Sequence, residues 1–255
     1  MSTRDATPGD GFDVRALALT LRPGAKIGVH RHPWGQLVFA AAGVMRVSTE
    51  AETWLTPATK AIWLPAGVEH RIDIQGEVAM RTLYIAPARA ALLPADPATL
   101  AVEPLLRELI LHIVRIGMLA ADRPEHGRMS GVLIDLLHGA RREDLRLPLP
   151  GDPRARAAAL RLQAAPAEAV DLSILAAESG ASLRTLQRLF PKETGLTLEA
   201  WRQKARLIHA MARLASGERV TAAALDSGYQ NVGAFIAAFS RHFGMTPGRY
   251  RATAR

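Results

Sequence analysis

The sequence predicts an α+β protein of at least two domains, an antiparallel β barrel followed by helices that end in an all-α module. Three observations carry this. From about residue 14 to 87, short apolar runs alternate with turn residues, as in a small barrel or sandwich. From about residue 102 the apolar spacing becomes helical. In the last hundred residues two similar stretches recur 49 positions apart.

Composition sets the frame. The chain has 255 residues, enough for two real cores, with 49% hydrophobic and 22% charged residues. It has no cysteine, which excludes disulfides and thiolate metal ligands and fits a cytoplasmic setting. No run of 18 apolar residues and no charged-then-apolar leader occurs, so neither a membrane span nor a secretion signal is expected. Charge is lopsided. Residues 1–150 carry 17 Lys and Arg against 16 Asp and Glu, and residues 151–255 carry 15 against 8. A basic C-terminal part points to a polyanion partner at that end.

The strand candidates are 15–21, 35–41, 43–49, 60–65, 70–74 and 80–86. Among them lies a sharper pattern. Gly24 is followed after five residues by His30-x-His32, then three residues and Gln36, then six residues and Gly43; later comes Pro65-Ala-Gly67-Val-Glu-His70. Residues i and i+2 of a strand share a side, so His30 and His32 are expected to enter the barrel together. These stretches resemble the two cupin motifs. Gln36 stands where the family usually has Glu, Thr59 where the second motif opens with Gly, and Ile74 where an Asn often closes it. The resemblance implies a site at His30, His32, Gln36 and His70. Its occupant is expected to be a divalent transition metal such as Zn²⁺, Ni²⁺ or Co²⁺, or else a plain organic effector. Trp34 and Trp63 are the candidate effector contacts; core or wall packing is the alternative for both, and for Trp54.

Pro87 ends the strand region, and a Pro/Ala-rich passage leads to the stripe Val102, Leu105, Leu106, Leu109, Ile110, Ile113, Ile116. Gly117 to Gly131 reads as a connection, and Met129, Val132, Leu133, Leu136 and Leu137 as a second stripe. These faces are expected to pair two subunits or to pack on their own barrel. Leu147-Pro-Leu-Pro-Gly151 reads as a short semi-extended link, after which Asp152 caps a helix with Pro153 at its first position.

Asp171 is expected to cap a helix over LSILAAES. Gly180 provides the turn, Ser182 the next cap, and Leu183, Leu186, Leu189 and Phe190 the buried side of the following helix. Arg184, Thr185, Gln187 and Arg188 are left outside, and Arg and Gln suit bidentate contacts with guanine and adenine edges. That is the reading face of a DNA-recognition helix. Leu186, Phe190, Gly195 and Thr197 recur as Phe235, Phe239, Gly244 and Thr246, and a helix over 198–215, about 27 Å long, joins the copies. In the second copy Thr221 is the expected cap of the supporting helix and Asn231 that of the recognition helix. Val232, Ala234 and Ala237 would face outward, with Arg241 available for phosphate.

The repeat, the joining helix and the terminal GMTPGRYR resemble the AraC/XylS family of transcription regulators. The resemblance implies a cupin sensor over 1–100, a helical connecting or dimerisation segment over 101–146, a linker over 147–153 and a double helix-turn-helix domain over 154–255. It implies a homodimer on double-stranded promoter DNA, answering to a small effector, with Ser182, Arg184, Thr185, Gln187, Arg188, Asn231, Val232, Ala234, Ala237 and Arg241 at the DNA. It also implies a non-enzyme. The rival is a cupin metal-dependent dioxygenase with an accessory helical domain, in which Glu69 would be the acid/base group.

Overall fold

The structure is a computed structural model that describes residues 10–74 and 76–253. The chain forms two compact units, one running up to Thr49 and then over Thr56–Leu145, the other taking Glu50–Leu55 together with everything from Arg146 on. No helix among the described residues is long and apolar enough to cross a membrane.

The first unit is built on a seven-stranded antiparallel sheet. Its members are β1 (Phe12–Leu21), β3 (Gly35–Ala42), β6 (Lys60–Leu64), β8 (Val78–Ile85), β9 (Ala98–Ala101), β10 (Met118–Ala120) and β11 (Arg142–Glu143), ordered β10-β1-β8-β3-β6-β9-β11. A second set has β4 (Val44–Ser48) antiparallel to β7 (His70–Ile74), and β7 antiparallel to β2 (Lys26–His30), with His30 opposite His70. Alternation along the large sheet divides its residues between two environments. Leu37, Phe39, Ala61, Trp63, Leu83 and Ile85 share a buried cluster with Leu106, Ile110 and Ile113 of α1 (Pro104–Ile116) and Leu133 and Leu137 of α2 (Pro124–Gly139). Gln36, Thr82 and Tyr84, at the alternate positions, belong to the other face.

Both helices thus cover their own sheet, while Leu105 (64% exposed) and Val132 (47%) stay outside that cluster. Helix α1 starts at Pro104, later than the apolar stripe suggested, and α2 starts at Pro124 inside the expected connection. Strands β9, β10 and β11 were not expected, nor was a further strand over Arg146–Pro148. They are two to four residues long and gain their order from pairing, as in Lys60 to Trp63 against Ala101 to Ala98, and so short a strand has no readable period.

In the second unit, β12 (Arg146–Pro148) pairs with β5 (Glu52–Pro57) through Arg146 opposite Trp54 and Leu147 opposite Thr53. The expected linker is therefore structured. Leu147 and Leu149 are buried with Ala158, Leu162, Leu175, Leu186, Phe190, Trp201 and Ile208, and Leu55 packs on the same cluster. Trp54 is buried on β5 opposite Arg146. The helices are α3 (Pro153–Ala164), α4 (Leu172–Glu178), α5 (Leu183–Thr194), α6 (Leu198–Ala215), α7 (Val220–Leu225), α8 (Val232–Phe243) and α9 (Pro247–Thr253). Asp152, Asp171, Ser182, Thr197 and Asn231 each accept a first-turn backbone N–H with the side chain. The exception is α7. It begins one residue before Thr221, and Arg219 at its N-cap offers no side-chain bond.

Candidate nucleic-acid interface and effector site

Helix α5 is amphipathic in the sense the sequence required. Leu186 and Phe190 are fully buried, Leu189 nearly so, and Phe190 meets Trp201 edge-on at 5.8 Å between ring centres. Removing such a buried ring costs about 3–5 kcal/mol, so this face fixes the helix axis. Arg184, Gln187 and Arg188 are exposed and Thr185 half-buried, and the four line an open hollow of about 420 Å³. The Ser182 hydroxyl accepts the Thr185 N–H at 3.1 Å and meets the Thr185 hydroxyl at 2.9 Å. It serves the helix end and keeps Thr185 oriented.

Helix α8 repeats the frame without the chemistry. Phe235 and Phe239 are fully buried at the places of Leu186 and Phe190, and Asn231 Oδ1 accepts the Ala234 N–H at 3.0 Å. Ala234 and Ala237 are exposed as expected, and so is Arg241. Val232 is half-buried; it occupies the position of Leu183, which packs on the core of the first copy. The outward apolar residue is instead Ile236, 37% exposed. It was missed, although the 49-residue offset places it opposite Gln187.

The barrel residues converge as well. Ligand atoms of His30, His32 and His70 lie within 4.8 Å of one another. His30 reaches the group from the end of β2, and His70 from the start of β7. His32 lies beyond the strand end, so its convergence comes from the loop and not from strand alternation. Each Nδ1 faces a main-chain carbonyl: His30 that of Gly28 at 2.8 Å, His32 that of Trp34 at 2.7 Å, His70 that of Val68 at 2.9 Å. A carbonyl only accepts, so each ring carries its proton on Nδ1 and leaves Nε2 as the ligating nitrogen.

Gln36 makes the cluster informative. Thr82 Oγ1 donates to the Leu37 carbonyl at 3.0 Å, so it must accept from Gln36 Nε2, 2.9 Å away. The amide is thereby oriented with Oε1 toward His32 Nε2, at 3.1 Å. In neutral His32 two lone pairs then confront each other in a buried place, since His32 is 5% and Gln36 1% exposed. A proton on His32 Nε2 turns the contact into a hydrogen bond, and a metal cation between the two atoms would equally resolve the conflict. The donor set fits a divalent transition metal, held by three imidazoles and an amide oxygen.

The two tryptophans part company. Trp34 is fully buried and clusters with Tyr84, whose ring lies edge-on to His32 at 5.0 Å. Trp63 is turned away from the histidine cluster. It lies on the helix-covered face of the sheet, donates Nε1–H to the Pro94 carbonyl at 2.8 Å, and covers Gly35, where a Cβ would fall 2.2 Å from its ring.

Residues 19–170 match the AraC-like ligand binding domain and residues 175–253 a helix-turn-helix domain. The chain is 36% identical over 222 residues to the HTH-type transcriptional regulator NimR of Escherichia coli K12, covering 87% of this chain and 81% of that one. The chain belongs to the AraC family. Over 103 residues, 40% of this chain and 31% of the other, it is 37% identical to the HTH-type transcriptional regulator RipA of Corynebacterium glutamicum. Among solved structures, an AraC-type transcriptional regulator from Chromobacterium violaceum is 25% identical with a TM-score of 0.39, covering 40% of this chain and 92% of that one. As an AraC-family protein the chain is a DNA-binding transcription regulator with a ligand-binding domain. The relatives are named as transcription regulators, not dioxygenases, and Glu69 acquires no catalytic setting from them.

Proposed function

We propose that this regulator reads promoter DNA asymmetrically and answers to a divalent transition metal ion. Arg184, Gln187 and Arg188 of α5 read base edges from the first major groove, with Thr185 beside them. Helix α8 seats in the next groove through backbone, phosphate and small apolar contacts, with Asn231, Ala234, Ala237 and Arg241 at the duplex. Zn²⁺, Ni²⁺ or Co²⁺ would be held by His30, His32, Gln36 and His70. The observation that supports the metal is the convergence of the ligand atoms of His30, His32 and His70 within 4.8 Å of one another, with Gln36 Oε1 3.1 Å from His32 Nε2. The protein acts in the cytoplasm, where promoter DNA is found, and as a homodimer, for which Leu105 of α1 and Val132 of α2 supply exposed apolar surface.

The test is calorimetric titration of Ni²⁺, Zn²⁺ and Co²⁺ into chelator-treated full-length protein, wild type and His32→Ala, beside a footprint with and without metal. Wild type should bind one of these ions and change its footprint, and His32→Ala should do neither. Gln36→Glu adds a negative ligand and should tighten binding at least ~10-fold. Equal titration of wild type and His32→Ala, or no binding while an organic molecule shifts the footprint, makes the cavity a plain effector pocket.

A further inference from the structure

Helix α6 joins the two helix-turn-helix units, and Arg206 lies halfway along it. Its planar guanidinium points away from the α6 core contacts toward both units at once. Nε donates to the Pro166 carbonyl at 3.0 Å and Nη2 to the Glu168 carbonyl at 3.3 Å, both in the loop that leads into α4 of the first unit. One turn earlier, Arg202 donates to the Val170 carbonyl at 3.2 Å and pairs with Glu199 at 2.9 Å. Thus α6 holds alternate carbonyls of the first unit's approach with two arginines.

The second unit closes on the same group from the other side. Gly228, in the turn between α7 and α8, has φ +80°, and a Cβ there would come within 3.0 Å of Arg206 Cζ, of its Nε and of the Pro166 carbonyl. Any side chain at 228 would therefore meet both a strained backbone and an occupied space. Beside this contact lies an open cleft of about 490 Å³, walled by Val170 and Asp171 from the first unit and Tyr229, Asn231 and Ala234 from the second. The guanidinium thus lies between the first unit's approach and the second unit's turn, beside this cleft. The arrangement costs the cation something. Burial first, and the neighbouring Arg202 second, hold the Arg206 pKa below its ordinary value. A guanidinium stays charged regardless, and its rigid fork can serve two carbonyls and present a flat face to a glycine, which an ammonium cannot.

We propose that Arg206 is a positioning residue that latches the second helix-turn-helix unit to the approach of the first, and so sets the operator spacing this regulator accepts. The inference rests on the DNA-reading role of α5 and α8. One base pair more or fewer between the two contacted grooves rotates them by roughly 34° and shifts them by about 3.4 Å. A latched pair of units cannot follow that change, whereas an unlatched pair can.

The test uses full-length protein. A preferred duplex is first selected from a random pool with wild type. Affinities are then measured for that operator, for versions with one or two base pairs inserted or removed between the segments protected by the two units, and for a duplex retaining only the first unit's segment. Wild type should lose at least ~10-fold for each single-pair change. Arg206→Met and Gly228→Ala should bind the parent operator about 10-fold more weakly, vary less than ~3-fold across the spacing series, and bind the first-segment duplex as wild type does. Arg206→Lys should fall between. Retained binding of the first-segment duplex shows that the first unit is folded, and a wild-type helical signal by circular dichroism shows the same of the second; a lost helical signal in both variants overturns the latch. Wild-type spacing profiles in both Arg206→Met and Gly228→Ala overturn the latch, and so does an equal loss on the full operator and the first segment. A wild type that enriches no sequence overturns the DNA-reading role and the latch with it, a result distinct from either.

Discussion

The two helix-turn-helix units share a frame and differ in almost everything mounted on it. In the first, α4 is capped by Asp171, which accepts from Ser173 at 2.7 Å and Ile174 at 3.2 Å. In the second, α7 has only six residues and no side-chain cap. It is held by burial of Ala223 and Ala224, with Arg213 pairing with Glu218 and Asp226 at its ends. On the outer faces, Arg184, Gln187 and Arg188 correspond to Gly233, Ile236 and Ala237. Duplication has preserved the buried residues that set helix direction and left the exposed ones free to diverge. On the function proposed above, one copy is the reader and the other the seat.

The sharpest way to break this division is at the bases. Arg184→Ala, Gln187→Ala and Arg188→Ala should each cost about 1–3 kcal/mol on the selected operator and less on random duplex. Ile236→Ala and Ala237→Ser should cost under about 1 kcal/mol, since a thymine methyl is the most they can touch. Competition binding against single-base operator variants decides it: a preference switched as strongly by Ile236 as by Gln187 removes the asymmetry.

A smaller effect concerns the seat. Arg241→Ala should weaken specific and random duplexes alike by about 1 kcal/mol and reduce the slope of log affinity against log salt by about 1. Loss confined to one operator sequence would make Arg241 a base contact.

The smallest effect separates the supporting helices. Asp171→Ala should lower the thermal midpoint by about 4 °C, and Thr221→Ala by less than about 1 °C. The Asp171 pKa lies below the ordinary carboxylate value, first through the Ser173 N–H bond and then through that of Ile174. Its stabilisation is therefore complete above the unfolded carboxylate range and is lost as pH falls through the depressed folded value. The gap between Asp171→Ala and wild type should close in that acid window, as thermal melts at stepped pH would record. A Thr221→Ala loss equal to that of Asp171→Ala would show that α7 is capped after all.

Legibility in the sequence followed the length of each pattern. Helix α6 spans eighteen residues, and its uninterrupted apolar period gave the bounds 198–215 that the structure shows. The caps Asp152, Asp171, Ser182 and Asn231 were legible because the side chain that marks the boundary also makes the bond. Thr221 failed because Val220, the residue before it, already takes helical geometry, so a cap-forming residue type stood inside the helix. The histidine cluster was legible from spacing, yet the reason for its convergence was not, since β2 stops at His30. Trp63 could not be assigned a face by residue type; only its register opposite Leu37 turns it toward α1 and α2. Leu147 and Leu149 looked like a linker because two prolines flank them, and their burial depends on residues nearly a hundred positions away.

That last pairing bears on how such proteins are recombined. A chimaera that joins a foreign sensor to this protein's residues from Arg146 onward would leave behind Glu50–Leu55, the segment that belongs to the second unit. It would lose the Ala51 carbonyl that accepts the Leu149 N–H at 2.7 Å, the Glu50 carbonyl that accepts from Arg156 at 2.8 Å, and the cover that Leu55 gives the core. The second unit is therefore discontinuous in sequence, and a swap that keeps its packing carries the six residues of Glu50–Leu55 along with the C-terminal portion.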